Sequence, residues 1–96
     1  MPNSRDDDIE WDENKNVLNQ KQHHISFEEA ASIFSDPLEL TIPDPEHSIS
    51  EHRLVSLGQS LRHNLLVVSY TERAGRIRII SARKATKRER RMYEEE

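Results

Sequence analysis

Five arginines, Arg53, Arg73, Arg76, Arg78 and Arg83, lie on or at the ends of strand-like runs in the second half of the chain. A guanidinium is planar, permanently charged and able to donate paired hydrogen bonds. A cluster of them can therefore hold phosphate oxygens and stabilise the charge that builds up during phosphoryl transfer. On an ideal strand Arg76 and Arg78 project to one face, and Ile77 and Ile79 to the other. The competing reading is an ordinary solvated sheet face, or arginines engaged in ion pairs with acidic residues.

Cutting a phosphodiester without a metal needs a group that takes the 2′-hydroxyl proton, another that protonates the leaving 5′-oxygen, and cations around phosphorus. A histidine side chain ordinarily has a pKa near neutrality, which makes His23 a candidate acid or base, and Glu51 stands close to Arg53, where it can act as a base or orient the guanidinium. A single histidine is equally at home as a surface residue, so neither assignment rests on type alone. Lys15, Asn19 and Gln22 or His23 follow the spacing of one helix face and could offer a polar row to a nucleotide or to solvent. Lys84 opens the basic run KATKRERR, which suits RNA, DNA or an acidic partner, or a solvated face. His23 and His24 are adjacent with no CxxC or HExxH around them, which argues against zinc. No Walker or GxGxxG motif is present, so cofactor-free chemistry is expected. Trp11, Phe27, Phe34 and Tyr70 could stack on bases, but the phenylalanines sit in patterns typical of a core.

The elements that must position these groups belong to a chain of 96 residues, 33% hydrophobic and without cysteine. That is enough for one modest core and leaves no disulfide framework. The start of the chain has no apolar signal segment, and Leu65–Val68 is too short to cross a bilayer, so a cytoplasmic protein with no membrane association is expected. Charge is divided: residues 1–52 carry 13 Asp/Glu against 3 Lys/Arg, and residues 53–93 carry 11 Lys/Arg against 2 Asp/Glu. The basic half can form a phosphate-attracting face despite the net charge of −4, or the halves can neutralise each other in the fold.

Residues 1–7 are polar and aperiodic, which predicts a disordered terminus ahead of a single domain over 8–96. IEW reads as a short strand, and Asp12 as the N-cap of a helix reaching about Lys21, with Val17 and Leu18 as a thin apolar face. Ser26 and Glu29 have capping-box spacing for a second helix, SFEEAASIF, which Asp36-Pro37 ends. LELTI reads as a strand and PDPEHSIS as a loop. HRLVSLGQ, NLLVVSYTE and RIRIISA form a meander with a turn at Ala74-Gly75. Thr86 and Glu89 repeat the capping-box spacing ahead of a basic helix, TKRERRMYEE. The expectation is α+β: two N-terminal helices on an antiparallel sheet of about four strands, then a C-terminal helix.

The segment IEWDENKNVLNQKQHHISFEEAASIF resembles the opening of the BrnT toxins. EHRLVSLGQS and LLVVSYTERAGRIRIISARKATKRERRMYE resemble their strand and terminal-helix motifs, with RIRIISARKAT the most specific. The resemblance covers nearly all of residues 9–94. It departs at Gln22, where a lysine is usual, and at His24, where glycine is usual. It implies a RelE-like fold and a ribonuclease that arrests translation. It also implies neutralisation by a BrnA-like ribbon-helix-helix antitoxin, with two toxins and two antitoxins assembling and contacting promoter DNA through the antitoxin. His23 matches the family histidine. From the residue chemistry above, with His23 supported by the resemblance, His23, Glu51, Arg53, Arg78 and Arg83 are the catalytic candidates, and Lys15, Arg73, Arg76 and Lys84 the RNA-binding ones. The rival expectation is a non-catalytic corepressor subunit that uses the same basic face to hold its partner.

Overall fold

A computed structural model describes residues 8–43 and 53–95. The first seven residues, the PDPEHSIS loop after Pro43, and Glu51 lie outside the described residues. In chain order the elements are β1 (Ile9–Trp11), α1 (Glu13–His23), α2 (Phe27–Ala31), a 3-10 turn (Ser32–Ser35), β2 (Leu40–Pro43), β3 (Arg53–Gln59), β4 (Leu65–Arg73), β5 (Arg76–Lys84) and α3 (Lys87–Glu94). The sheet has five strands in the order β1-β5-β4-β3-β2. The expected four-stranded antiparallel sheet is corrected in one respect: β1 adds a parallel edge to β5, with Glu10 level with Arg78, so the sheet is mixed.

Local chemistry sets the helix ends. The Asp12 carboxylate accepts from Asn14 N–H and starts α1, and the Ser26 hydroxyl accepts from Glu29 N–H and starts α2. The capping box expected at Ser26 is only half made. Glu29 turns away to accept from the Ser60 hydroxyl at 2.6 Å and the Asn64 amide at 2.7 Å, which tethers the β3–β4 turn. At Thr86 and Glu89 the box is complete and opens α3.

α1 ends on His24, whose φ of 62° is the left-handed conformation that the usual glycine adopts without cost. A Cβ in that region carries about 1–2 kcal/mol of strain, so His24→Gly is expected to raise stability by about 1 kcal/mol. Thermal unfolding should show a rise of about 4–8 °C. An unchanged or lower midpoint would mean that the histidine makes a compensating contact.

The larger core lies on one face of the sheet, where Ile25, Phe27, Ala30, Ile33 and Phe34 pack on Leu66, Val68, Tyr70, Ile77, Ile79 and Ala82. Phe34 meets Tyr70 edge to face at 5.0 Å, and Trp11 meets Phe27 at 6.2 Å, so these aromatic rings serve packing. Gly58 admits the 3-10 turn: a Cβ there would stand 3.0 Å from the Cβ of Ile33.

α1 does not pack through Val17 and Leu18, the apolar pair visible in its sequence. Those are 43% and 54% exposed, and the buried positions are Asn16 and Asn19. Asn16 accepts from Phe27 N–H at 2.8 Å and donates to Glu13 and Glu28, which joins α1 to α2. Asn19 donates to the carbonyls of Ile25 and Ala82 at 2.8 and 2.9 Å and accepts from Ala82 N–H at 3.1 Å. Its amide takes both backbone bonds of Ala82, the role a neighbouring strand would play beyond the end of β1.

A smaller cluster on the opposite face, Leu57, Leu65 and Val67, is covered by Tyr93 and Ala85. The Tyr93 hydroxyl donates to Asp36 at 2.6 Å, and the same carboxylate accepts from the backbone N–H groups of Gln59 and Leu38. Burial pushes Asp36 upward, but these three donors outweigh it and its pKa is lowered. Tyr93 is pushed up to about 12, first by burial and then by the carboxylate. α3 thus covers one end of this second face.

Candidate functional site

Residues opposite one another in an antiparallel ladder project to the same side of the sheet. Val67 and Leu57 belong to the second face, and the partners two residues along follow them: Val55 with Ser69, then Arg53 with Thr71. On β5 the register changes, because Ser69 pairs with Ser81 while Tyr70 pairs with Ile79, so Ile80 is an extra, unpaired residue in a bulge. Strict alternation would put Arg83 on the side opposite Arg78. The bulge returns it, and Arg78, Ser81 and Arg83 all stand on the second face beside Thr71, Ser69 and Val67.

The five arginines singled out from the sequence therefore share one side of the sheet. Arg53, Thr71, Arg78 and Glu10 form one row across β3, β4, β5 and β1, with Arg73 and Arg76 paired as the next row toward the turn. Strands are spaced about 4.8 Å apart, so Arg53 and Arg78 start about 10 Å from each other, within reach of one phosphate between them. The serine and threonine hydroxyls beneath them are further donors.

Two of these arginine sets are already engaged by carboxylates. Glu10 Oε1 accepts from Nε and Nη2 of Arg76 at 3.0 and 2.9 Å, and Oε2 accepts from Nη1 of Arg78 at 2.8 Å. These hydrogen bonds, from Arg76 first and then Arg78, hold the Glu10 carboxyl below its ordinary pKa. Arg78 meets no other acceptor among the described residues, and its Nε/Nη2 edge remains open. Arg83 is bound end-on, Nη1 and Nη2 donating to the two oxygens of Glu89 at 2.8 and 2.9 Å. Because Glu89 also caps α3, Arg83 fastens that helix to β5.

Glu89 is held at a pKa of about 2, mainly by the Arg83 hydrogen bonds, with burial opposing. A carboxylate depressed in the fold adds stability above its unfolded value near 4.5 and loses it as pH falls toward about 2. The pair is partly exposed, so screening limits its size. Glu89→Gln should be less stable than wild type at neutral pH and should lose less stability between neutral pH and about pH 3. Equal acid losses in urea titrations of both proteins would refute the coupling.

The remaining candidates lie elsewhere. Lys84 pairs with Leu66 and so belongs to the helix-covered side, where it is exposed. Lys15 and His23 are exposed on α1, four residues before and after Asn19, on the stripe that turns toward Ala82 and hence toward the residue preceding Arg83. No hydrogen bond or ion pair joins His23 to an arginine among the described residues. Asn19, which the spacing offered to a nucleotide, is 5% exposed and occupied by backbone. Glu10 is a functional residue that its type and spacing do not single out: strand alternation sets it on the face opposite Ile9 and Trp11, but only the parallel pairing of β1 brings it to Arg78. Away from this face, a groove of about 390 Å³ is lined in part by His24, Glu28, Glu29 and Arg62. Among the described residues no three His, Asp or Glu side chains converge as a metal-ligand set, and no helix is long and apolar enough to cross a membrane.

The geometry has counterparts. The structure is similar to the crystal structure of the Brucella abortus ribonuclease toxin BrnT, with a TM-score of 0.64 and 22% identity over 82% of this chain and 96% of that one. At that identity the likeness speaks for the fold. No curated protein sequence matches the chain. Residues 11–89 match the family model described as the ribonuclease toxin BrnT of a type II toxin–antitoxin system. That match runs from the last residue of β1 to the first turn of α3 and takes in the five arginines of the face, and the chain therefore belongs to the BrnT family of ribonuclease toxins, whose type II systems pair each toxin with an antitoxin.

Proposed function

We propose that the second face of the sheet holds the scissile phosphate of RNA and that the protein cuts the chain by in-line attack of a ribose 2′-hydroxyl, with no metal. The observation that carries this reading is the convergence of Arg53, Arg73, Arg76, Arg78 and Arg83 on one side of the sheet, which a bulge at Ile80 makes possible. Such a set supplies, from side chains alone, the positive charge that a metal would otherwise bring to the phosphorane. Arg53 and Arg78 contact the phosphate, and Arg83 joins them or holds α3 in place. Arg73, Arg76 and Lys15 guide the flanking backbone, whereas Lys84, on the opposite side of the sheet, has no part in this reading. His23 and Glu51 exchange the protons, His23 reaching the phosphate from the end of α1.

In this reading residues 8–96 act as one RelE-like toxin domain in the cytoplasm, and cleavage of messenger RNA arrests translation. A BrnA-like ribbon-helix-helix antitoxin covers the face, and two toxins with two antitoxins repress their own promoter through the antitoxin's DNA contacts. Induced expression of the wild type and of Arg78→Ala/Arg83→Ala tests it. Growth arrest and loss of messenger RNA with the wild type alone, reversed by the neighbouring gene, support the nuclease. Soluble wild type that leaves growth and RNA intact refutes it.

A second reading is favoured by the carboxylates on the arginines: Glu10 and Glu89 already neutralise much of the face, as in a non-catalytic subunit that supports repression. Association with RNA that weakens steeply with salt favours the nuclease, because each phosphate contact releases counterions. Salt-resistant binding of the antitoxin with no RNA affinity favours the subunit.

A further inference from the structure

We infer that Glu10 is a positioning residue, which presets Arg76 and Arg78 so that the open edge of the Arg78 guanidinium faces the scissile phosphate; this rests on the ribonuclease reading of the face. One carboxylate serves both arginines, taking the Nε/Nη2 side of Arg76 on Oε1 and a single N–H of Arg78 on Oε2. Arg78 keeps its Nε and Nη2 donors, the pair that fits two phosphate oxygens. Two long cationic side chains two residues apart on one strand face would otherwise repel each other and spread over many rotamers. β1 is three residues long, and its parallel pairing puts Glu10 level with Arg78 while Ile9 and Trp11 pack on the other side. The strand thus delivers one functional side chain to the face.

Two other roles fit the geometry less well. A general base works best with a pKa near the operating pH, and the arginines draw the Glu10 carboxyl in the other direction. A blocking carboxylate would take the paired edge of Arg78, whereas Glu10 takes one N–H and leaves that edge open.

The test is steady-state cleavage of an RNA oligonucleotide by the purified full chain, comparing wild type with Glu10→Ala and Glu10→Gln across pH, alongside binding of the same oligonucleotide carrying 2′-deoxyribose. Glu10→Ala should lower kcat about tenfold through misplacement of Arg78, with KM and deoxy-oligonucleotide affinity unchanged or tighter because a negative charge is gone. Glu10→Gln, whose carbonyl oxygen still accepts from one guanidinium, should recover part of that loss. The acid limb of its pH profile should keep its midpoint. Both side chains of the pair are substantially exposed, so thermal unfolding should stay close to wild type and separate the effect from misfolding.

An unchanged kcat in both variants overturns the inference. A rise in kcat/KM shows that Glu10 blocks the face, and loss of the acid limb in Glu10→Gln shows that it is a base; either outcome replaces the positioning role. If the wild type itself binds the deoxy-oligonucleotide and cuts no RNA, the ribonuclease reading falls and takes the inference with it, a failure visible without any variant.

Discussion

Asn19→Leu is expected to destabilise the protein by about 3 kcal/mol or more, since each buried backbone group left without a partner costs about 1–3 kcal/mol. Three groups are exposed to that loss: the carbonyls of Ile25 and Ala82 and the N–H of Ala82. Leucine matches the volume roughly and offers no donor or acceptor, so better apolar packing cannot offset the orphaned bonds. For a domain of this size the melting temperature should fall by on the order of 15 °C. Asn19→Asp gives an independent check, because it keeps the acceptor for Ala82 N–H and removes both donors. Leu18→Ala, on the outward side of the same helix where the side chain is 54% exposed, should change stability by less than about 0.5 kcal/mol. A neutral Asn19→Leu would mean that α1 docks by contacts other than this amide.

Arg78→Ala is expected to lower RNA cleavage by a factor of about 100 to 1,000, the usual cost of removing one preorganised donor from a developing oxyanion. The fall should appear in kcat, because charge on the phosphorane grows after binding and the neighbouring arginines still attract the substrate. Arg78→Lys should recover little, since an ammonium cannot present two donors in the plane that Glu10 fixes. Arg83→Ala should behave differently. Its end-on bond to Glu89 makes it a fastener of α3, and losing it should lower stability as well as activity. Single-turnover cleavage measured together with unfolding curves separates the two. Equal activity of Arg78→Ala and wild type would remove Arg78 from the site.

Much of this architecture was legible in residue order. Asp12, Ser26 and Thr86 mark their helix starts because a short oxygen-bearing side chain satisfies a free N–H wherever the chain enters a helix. The three strands of the meander follow from alternation, and Arg76 and Arg78 fall on one face for the same reason. Long-range geometry was not legible. The bulge at Ile80 leaves no mark in a run as regular as RIRIISARK, yet it decides which side Arg83 occupies. The parallel pairing of β1 depends on a neighbour more than sixty residues away, so Glu10 looked like any exposed acid. Apolar periodicity misled on α1. Its interface is made by the amides of Asn16 and Asn19, because it lies along a strand edge with backbone groups to satisfy, while Val17 and Leu18 face outward. The reciprocal cap at Glu29 failed for a related reason: the β3–β4 turn brings two side-chain donors, from Ser60 and Asn64, to the carboxylate.

The measurement that bears most directly on the arginine face is a titration of isotope-labelled protein with a 2′-deoxy RNA analogue that cannot be cut, following the arginine Nε–H signals by NMR. The expected result is saturable, salt-sensitive change at Arg53, Arg76 and Arg78, with Arg62 and Arg88 unaffected. Changes confined to Arg88, Arg90 and Arg91 on α3, with the signals of the sheet arginines unmoved, would contradict the placement of the scissile phosphate on this face.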